Sequence, residues 1–221
     1  MDNKEKIIFE LNQKYKANHS NGIQTDFDNF KIINGKIPIL FSAPHAVKQS
    51  RNGFEKEEDG MTGAIVEYLC KKTEVNGMIR TYNLGDDPNF ENEGYGLKYK
   101  NAMLKAIKEK QIKCVVDVHA CKDGHGFDVD IGTNRGENIN HNARFLNIFK
   151  TQFSEIGKVT IDEKFKASGE TIVSRYIHEK SKNPCFQVEI CVNLRKNKLT
   201  ELLETFEKII EELMKQIRKG K

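Results

Sequence analysis

Residues 114–133 read CVVDVHACKDGHGFDVDIGT. The stretch opens as a short valine-rich apolar run, the composition of a buried strand, and that run closes on Asp117 and His119. Residues two apart in a strand share a face, so a core strand would deliver a carboxylate and an imidazole together at its carboxyl end. In the second half, GFDVDIGT (126–133), Asp128 and Asp130 alternate with Phe127, Val129 and Ile131, as in a strand with one buried and one wet face. The two adjacent strands are candidates for an antiparallel pair. His125, Asp128 and Asp130 are left outside the candidate site.

Working outward, short apolar runs alternate with amphipathic ones. Strands are expected at 37–43, 77–83, 113–119, 126–133, 157–162 and 184–190, and helices at 61–73, 95–110, 139–153, 169–181 and 197–218. Strands separated by helices of this length predict an α/β fold, a three-layer sandwich with a mixed, mostly parallel sheet and helices on both faces. There is no internal repeat, low-complexity tract or linker, and Pro38, Pro44, Pro88 and Pro184 each fall at a strand edge or turn, so one domain is expected over 1–221. Ligands of open α/β sheets sit outside the carboxyl ends of the strands. Here those ends carry PHA (44–46), DDPN (86–89), DVHACKDGHG (117–126), GTNRG (132–136) and VEI (188–190).

Composition narrows the partners. The 36 basic and 32 acidic residues of the 221 give a net charge of +4 and are scattered, which does not imply nucleic-acid binding. The KQIRKGK tail (215–221) reads as a solvated helix end. Cys70, Cys114, Cys121, Cys185 and Cys191 are odd in number, lack CxxC spacing and mostly lie in apolar runs, so a reducing cytoplasm is the expected compartment. No apolar run is long enough to cross a bilayer, and the N-terminal MDNKEKIIFELNQKY has charges on both sides of its apolar patch, unlike a signal peptide.

His45 and His119 both stand at predicted strand ends, and EKEEDGMTGAIVEYL supplies Glu57, Glu58 and Asp59 at a helix start. Two histidines and a carboxylate are the ligand set of an open catalytic zinc site, although other divalent ions suit the same donors. Taken singly, each has an ordinary reading: a hydrogen-bonded histidine, or a helix N-cap at Asp59. Asp117 either orients His119 through its second ring nitrogen or has a plain structural role. Glu189, in CFQVEI, is either a general base beside a metal or part of the wet face of an edge strand. Cys121, two residues from His119, suggests a cysteine hydrolase, but nothing nearby would lower its pKa. DDPNFENEGYG (86–96) reads as a solvent loop rather than a cover over the pocket, and no phosphate-cradling motif is present.

SAPHA (42–46), EEDGMTG (57–63), VVDVH (115–119), SGETIVSRYIHEKSKNPCFQVEI (168–190) and NLR (193–195) together resemble the N-formylglutamate amidohydrolase family, whose SPHxG, DxH, GGYTTRxYG and QxEI motifs run in this order. The resemblance spans about residues 38–195; SGE replaces the double glycine, and no glycine follows PHA. It implies the fold of zinc carboxypeptidases and aspartoacylase-like deacylases. It also implies His45 and His119 as metal ligands with Asp59 as the acid, one zinc per chain, Glu189 as base and Arg175 as anchor for a substrate carboxylate. Arg80 and Arg135 are candidates to steady the oxyanion. The activity implied is metal-dependent hydrolysis of an N-acyl amino acid or small peptide-like amide, with a non-catalytic binding module on the same fold as the alternative.

Overall fold

The computed structural model describes residues 2–24 and 28–219. In chain order its elements are α1 (Asn3–Ser20), β1 (Phe30–Ile33), β2 (Ile37–Ala43), β3 (Gln49–Arg51), β4 (Phe54–Lys56), α2 (Thr62–Thr73), β5 (Val75–Arg80), α3 (Gly94–Glu109), β6 (Cys114–Cys121) and β7 (Val129–Gly132). A short 3-10 turn at Glu137–Ile139 follows, then α4 (Ala143–Ser154), β8 (Val159–Ile161), α5 (Val173–Ser181), β9 (Cys185–Cys191), α6 (Val192–Asn197) and α7 (Leu199–Lys219). The last two residues of the basic tail lie outside the described residues.

Seven strands form one mixed sheet in the order β1-β5-β2-β6-β9-β7-β8. The central four, β5, β2, β6 and β9, run parallel. At the edges β1 is antiparallel to β5, and β7 is antiparallel to β9 with β8 parallel to it. Strand alternation assigns the two faces. Phe41, Val116, Val118, Phe186, Val188 and Ile190 pack with apolar residues of α1, α2, α4 and α7. Leu40, Met78, Val115 and Cys185 pack on the other face with Tyr99, Met103 and Ile107 of α3 and Val173 and Ile177 of α5.

The final helix shows how the first face is sealed. Leu199, Leu202, Leu203, Phe206, Ile209, Ile210 and Leu213 recur at helical spacing and are all buried. Phe206 meets Phe41 and Phe153 edge-on at 5.8 and 5.3 Å, and Phe149 stacks on Phe186 at 4.3 Å. Each such side chain contributes about 1.5–3 kcal/mol by leaving water. On the opposite face the apolar pattern of β6 and β9 gives way, near their carboxyl ends, to Asp117, His119, Gln187 and Glu189.

Two expectations are corrected. β7 does not pair with β6: β9 lies between them, its Cys191 amide donating to Asp128 O at 2.9 Å. Alternation fixes which face a residue occupies but not which strand is its neighbour. Asp130 is not on a wet face either; it is fully buried and accepts from Thr160 Oγ1 and the amides of Glu163, Lys164 and Phe165. Among the described residues no helix is long and apolar enough to cross a membrane.

Candidate metal centre

Three chain segments converge at the carboxyl edge of the central strands. The turn after β2 presents His45, the end of β6 presents His119, and the loop before α2 presents Asp59. That loop is fixed by its backbone: Asp59 N donates to His45 O at 2.8 Å, and the amide and hydroxyl of Thr62 both donate to Asp59 O. Asp59 is therefore not a cap for α2; its N-cap is Met61, in the left-handed region and without a side-chain cap. Gly63 lets α2 sit close on this turn, since a Cβ there would stand 2.7 Å from that of Ala46. Glu58, the other acid considered, turns away to pair with Lys16.

Asp59 Oδ2 lies 3.2 Å from Nδ1 of His45 and 2.9 Å from Nδ1 of His119. The far nitrogens are held as well: His45 Nε2 donates to Asp87 Oδ1 at 2.9 Å, and His119 Nε2 to Asp117 Oδ2 at 3.0 Å. With Nε2–H committed to a carboxylate on each ring, Nδ1 is the atom left to act as a ligand. Asp59 and the two imidazoles offer ligand atoms within 4.8 Å of one another, a set that could hold a metal ion.

Charge agrees with this geometry. Burial alone disfavours the His119 imidazolium, but the charge and hydrogen bond of Asp117, with the bond to Asp59, override it and hold its pKa well above the ordinary value. Burial opposes protonation of His45 too, and Asp87 and Asp59 reverse the sign. Asp59 and Asp87, raised by burial, are held far below the usual carboxylate range by their histidines. Two buried carboxylates, Asp87 and Asp117, and the half-buried Asp59 thus surround two imidazoles, an arrangement suited to a cation.

Glu189 stands beside His119 in register on the adjacent parallel strand. β9 is an inner strand, so the carboxyl is 6% exposed, and burial, opposed by the His119 charge and reinforced by Asp59, pushes its pKa up to about 7. Gln187 Nε2 donates to Glu189 Oε1 at 3.0 Å, and among the described residues Oε2 has no hydrogen-bond partner. A carboxyl poised near neutrality can both take up and release a proton at physiological pH.

These four residues line a cavity of about 420 Å³ together with Arg51, Lys56, Asn89, Thr171, Ile172 and Gln187, among others. Arg175 is not in its lining. Its half-buried side chain is engaged elsewhere: Nε donates to Glu179 Oε1 at 2.8 Å and Nη1 to Ser168 O. The oxyanion candidates are displaced too: Arg80 is wholly buried and paired with Asp86, and Arg135 is exposed. Among the described residues Cys121 has no imidazole partner; burial raises its thiol pKa, and its Sγ lies 3.3 Å from that of Cys191.

The segment read as a solvent loop builds much of the site. Asp86 and Asp87 are buried, and Asn89 lines the cavity while its Oδ1 caps the Val173 amide of α5. Lys100, itself buried, donates to Glu91 O, Asn92 Oδ1 and Thr171 O, tying this loop to the start of α5. The visible signal was position: DDPN follows a strand that ends at the same sheet edge. For Arg51 and Lys56 it was Asn52-Gly53, a hairpin turn whose two residues both take positive φ, 50° and 80°.

No family model matches the chain, and no curated protein matches it. Among solved structures, N-formylglutamate amidohydrolase from Ralstonia eutropha JMP134 is similar with a TM-score of 0.67 at 12% identity, over 88% of this chain and 100% of that one. A gene product of Agrobacterium tumefaciens gives 0.60 at 10% identity, over 86% and 95%. A bacteriophage poly-gamma-glutamate hydrolase gives 0.51 at 15% identity, over 88% and 92%. The sheet with helices on both faces is therefore the fold of these structures, with N-formylglutamate amidohydrolase among its structural neighbours.

Proposed function

We propose that this protein is a metal-dependent amidohydrolase that cleaves the amide bond of an N-acyl amino acid or a small carboxylate-bearing peptide. The observation that carries the reading is the convergence of His45, Asp59 and His119 on one point, with the free oxygen of Glu189 beside it in a cavity. His45 Nδ1, His119 Nδ1 and Asp59 Oδ2 would hold the ion, with zinc the favoured metal for this donor set. When bound, zinc supplies a Lewis acid that makes water more acidic and polarises a carbonyl.

The chain's own residues account for the rest. Asp87 and Asp117 fix the imidazole tautomers and keep both Nδ1 atoms aimed inward. Glu189 Oε2 takes a proton from the attacking water and returns it to the leaving nitrogen, while Gln187 holds Oε1 and so the rotamer. One amide C–N bond breaks, water is consumed, and a carboxylic acid and an amine are released. The fold's likeness to N-formylglutamate amidohydrolase and poly-gamma-glutamate hydrolase structures supports a substrate of this class.

The test is amine release from a panel of N-acyl amino acids and γ-glutamyl peptides by zinc-loaded protein, with and without chelator. Turnover that is abolished by chelator, restored by zinc and lost in Glu189→Gln is expected. Turnover indifferent to chelator would sink the reading. Zinc binding without turnover of any member would favour the non-catalytic module.

A further inference from the structure

We propose that Arg51, with Lys56, is the anchor for the substrate's carboxylate, and that the β3–β4 hairpin is the specificity element of the site. The inference deepens the amidohydrolase reading and rests on it for the identity of the ligand. Apart from the proposed ligands and Glu189, the charged side chains lining the cavity are Arg51 and Lys56, both cations and both on this hairpin.

The hairpin's geometry places them together. Its register pairs Gln49 with Lys56 and Arg51 with Phe54, so Arg51 and Lys56 belong to the same face of the two-stranded ribbon. Lys48, on the opposite face, is neutralised by Glu55 and Glu57 at 3.1 and 3.8 Å. Lys56 has no acidic partner among the described residues. Arg51 shares the Asp87 carboxylate, so Lys56 is the uncompensated charge of this face, and an anion lying between it and the free end of Arg51 would satisfy it.

Arg51 is also held in position. Its Nε donates to Asp87 Oδ2 at 2.7 Å, and its guanidinium carbon lies 5.3 Å from the centre of the Phe90 ring. Among the described residues neither Nη atom has a hydrogen-bond partner, so the end of the fork stays free for bidentate binding of a carboxylate. The other oxygen of Asp87 holds His45 Nε2. One buried carboxylate thus connects a proposed metal ligand to the proposed anchor and sets the distance between the scissile bond and the carboxylate of an accepted substrate. Arg175, engaged by Glu179 and Ser168, has no comparable route to the cavity.

The experiment is calorimetric titration of glutarate, a dicarboxylate with no bond to cleave, and of uncharged glutaramide into zinc-loaded wild type and variants. Expected is glutarate binding by wild type with no measurable glutaramide binding. Affinity should fall at least about tenfold in both Arg51→Gln and Lys56→Gln, with partial recovery in Arg51→Lys. Equal glutarate affinity in Arg51→Gln and wild type, absence of glutarate binding to wild type, or a loss confined to Arg175→Gln would overturn the proposal. The hydrolase reading fails separately: a protein that binds glutarate through Arg51 yet cleaves no N-acyl amino acid keeps the anchor and loses the enzyme. Cleavage with a KM indifferent to Arg51 does the reverse.

Discussion

Asp87→Asn is the most informative single substitution because it preserves shape while removing one charge at a junction. The Asp87 side chain is fully buried and accepts three times: from His45 Nε2 at 2.9 Å, from the Asn89 amide at 2.8 Å and from Arg51 Nε at 2.7 Å. Asparagine has one oxygen and one donating nitrogen in place of two acceptors. If its oxygen keeps His45 and Asn89, its NH2 group faces the Arg51 N–H; if it is flipped, it faces the imidazole. The first orientation leaves one donor without an acceptor and the flipped one leaves two, the imidazole and the Asn89 amide, at a cost of about 1.5–3 kcal/mol for each charge-assisted bond. Loss of a carboxylate behind a metal-bound histidine lowers metal affinity about 10–100-fold. The assay is competition for zinc against a chelator of known affinity, run beside Asp117→Asn. Both variants should lose zinc affinity by that order, and only Asp87→Asn should also raise KM for a carboxylate substrate, through the loosened Arg51. Zinc affinity equal to wild type in Asp87→Asn would refute the role given to this carboxylate.

Glu189→Gln should lower kcat by about 10²–10⁴-fold while leaving zinc content intact, measured by amine release and elemental analysis on the same sample; a loss of zinc instead would make Glu189 part of the ion's own shell. Gly63→Ala forces a Cβ to within 2.7 Å of Ala46 Cβ and 2.9 Å of Tyr15 Cζ, both buried, so a destabilisation of about 1–3 kcal/mol in urea is expected, with weakened zinc binding because Ala46 adjoins His45. Glu67 accepts from Tyr15 OH at 2.9 Å and pairs with Lys14, Lys31 and Lys71; burial raises its carboxyl, and the lysines outweigh burial, bringing it from 4.5 down to about 2. A depressed carboxyl stabilises the fold fully above about pH 4.5 and loses that contribution as pH falls toward 2. The stability gap between wild type and Glu67→Gln, at most about 3 kcal/mol at pH 6, should therefore close by about pH 2 in urea titrations; a gap that stays constant would show that the lysines do not hold the charge.

The parts of the site visible in the sequence were those at strand ends, together with Asp59 at a helix start. His45, His119 and Glu189 each follow or end an apolar run, and the rule that strand ends gather function brought them to one edge before any coordinate did. Asp117 was visible for the same reason, by its two-residue offset from His119. What stayed hidden depended on tertiary contacts. Asp87 lies in a polar, glycine- and asparagine-rich loop whose composition suggests solvent, and only His45 and Arg51 arriving from elsewhere make it a buried junction. Arg51 and Lys56 belong to strands of three residues, too short to show a periodicity. Arg175 matched a family segment by position, but its guanidinium is taken up by Glu179, four residues along its own helix, and by the Ser168 carbonyl, contacts that alignment of a motif does not reveal. Asp130 misled because an acid in a strand is ordinarily on the wet side, whereas here three backbone amides and a threonine hydroxyl satisfy it in the interior.

The most direct test of the metal centre is zinc content by elemental analysis of wild type, His119→Ala and Glu58→Ala after zinc loading and removal of free ion. About one zinc per chain is expected in wild type and in Glu58→Ala, with loss in His119→Ala. Zinc retained by His119→Ala, or absent from wild type after loading, would contradict the assignment of His45, Asp59 and His119 as its ligands.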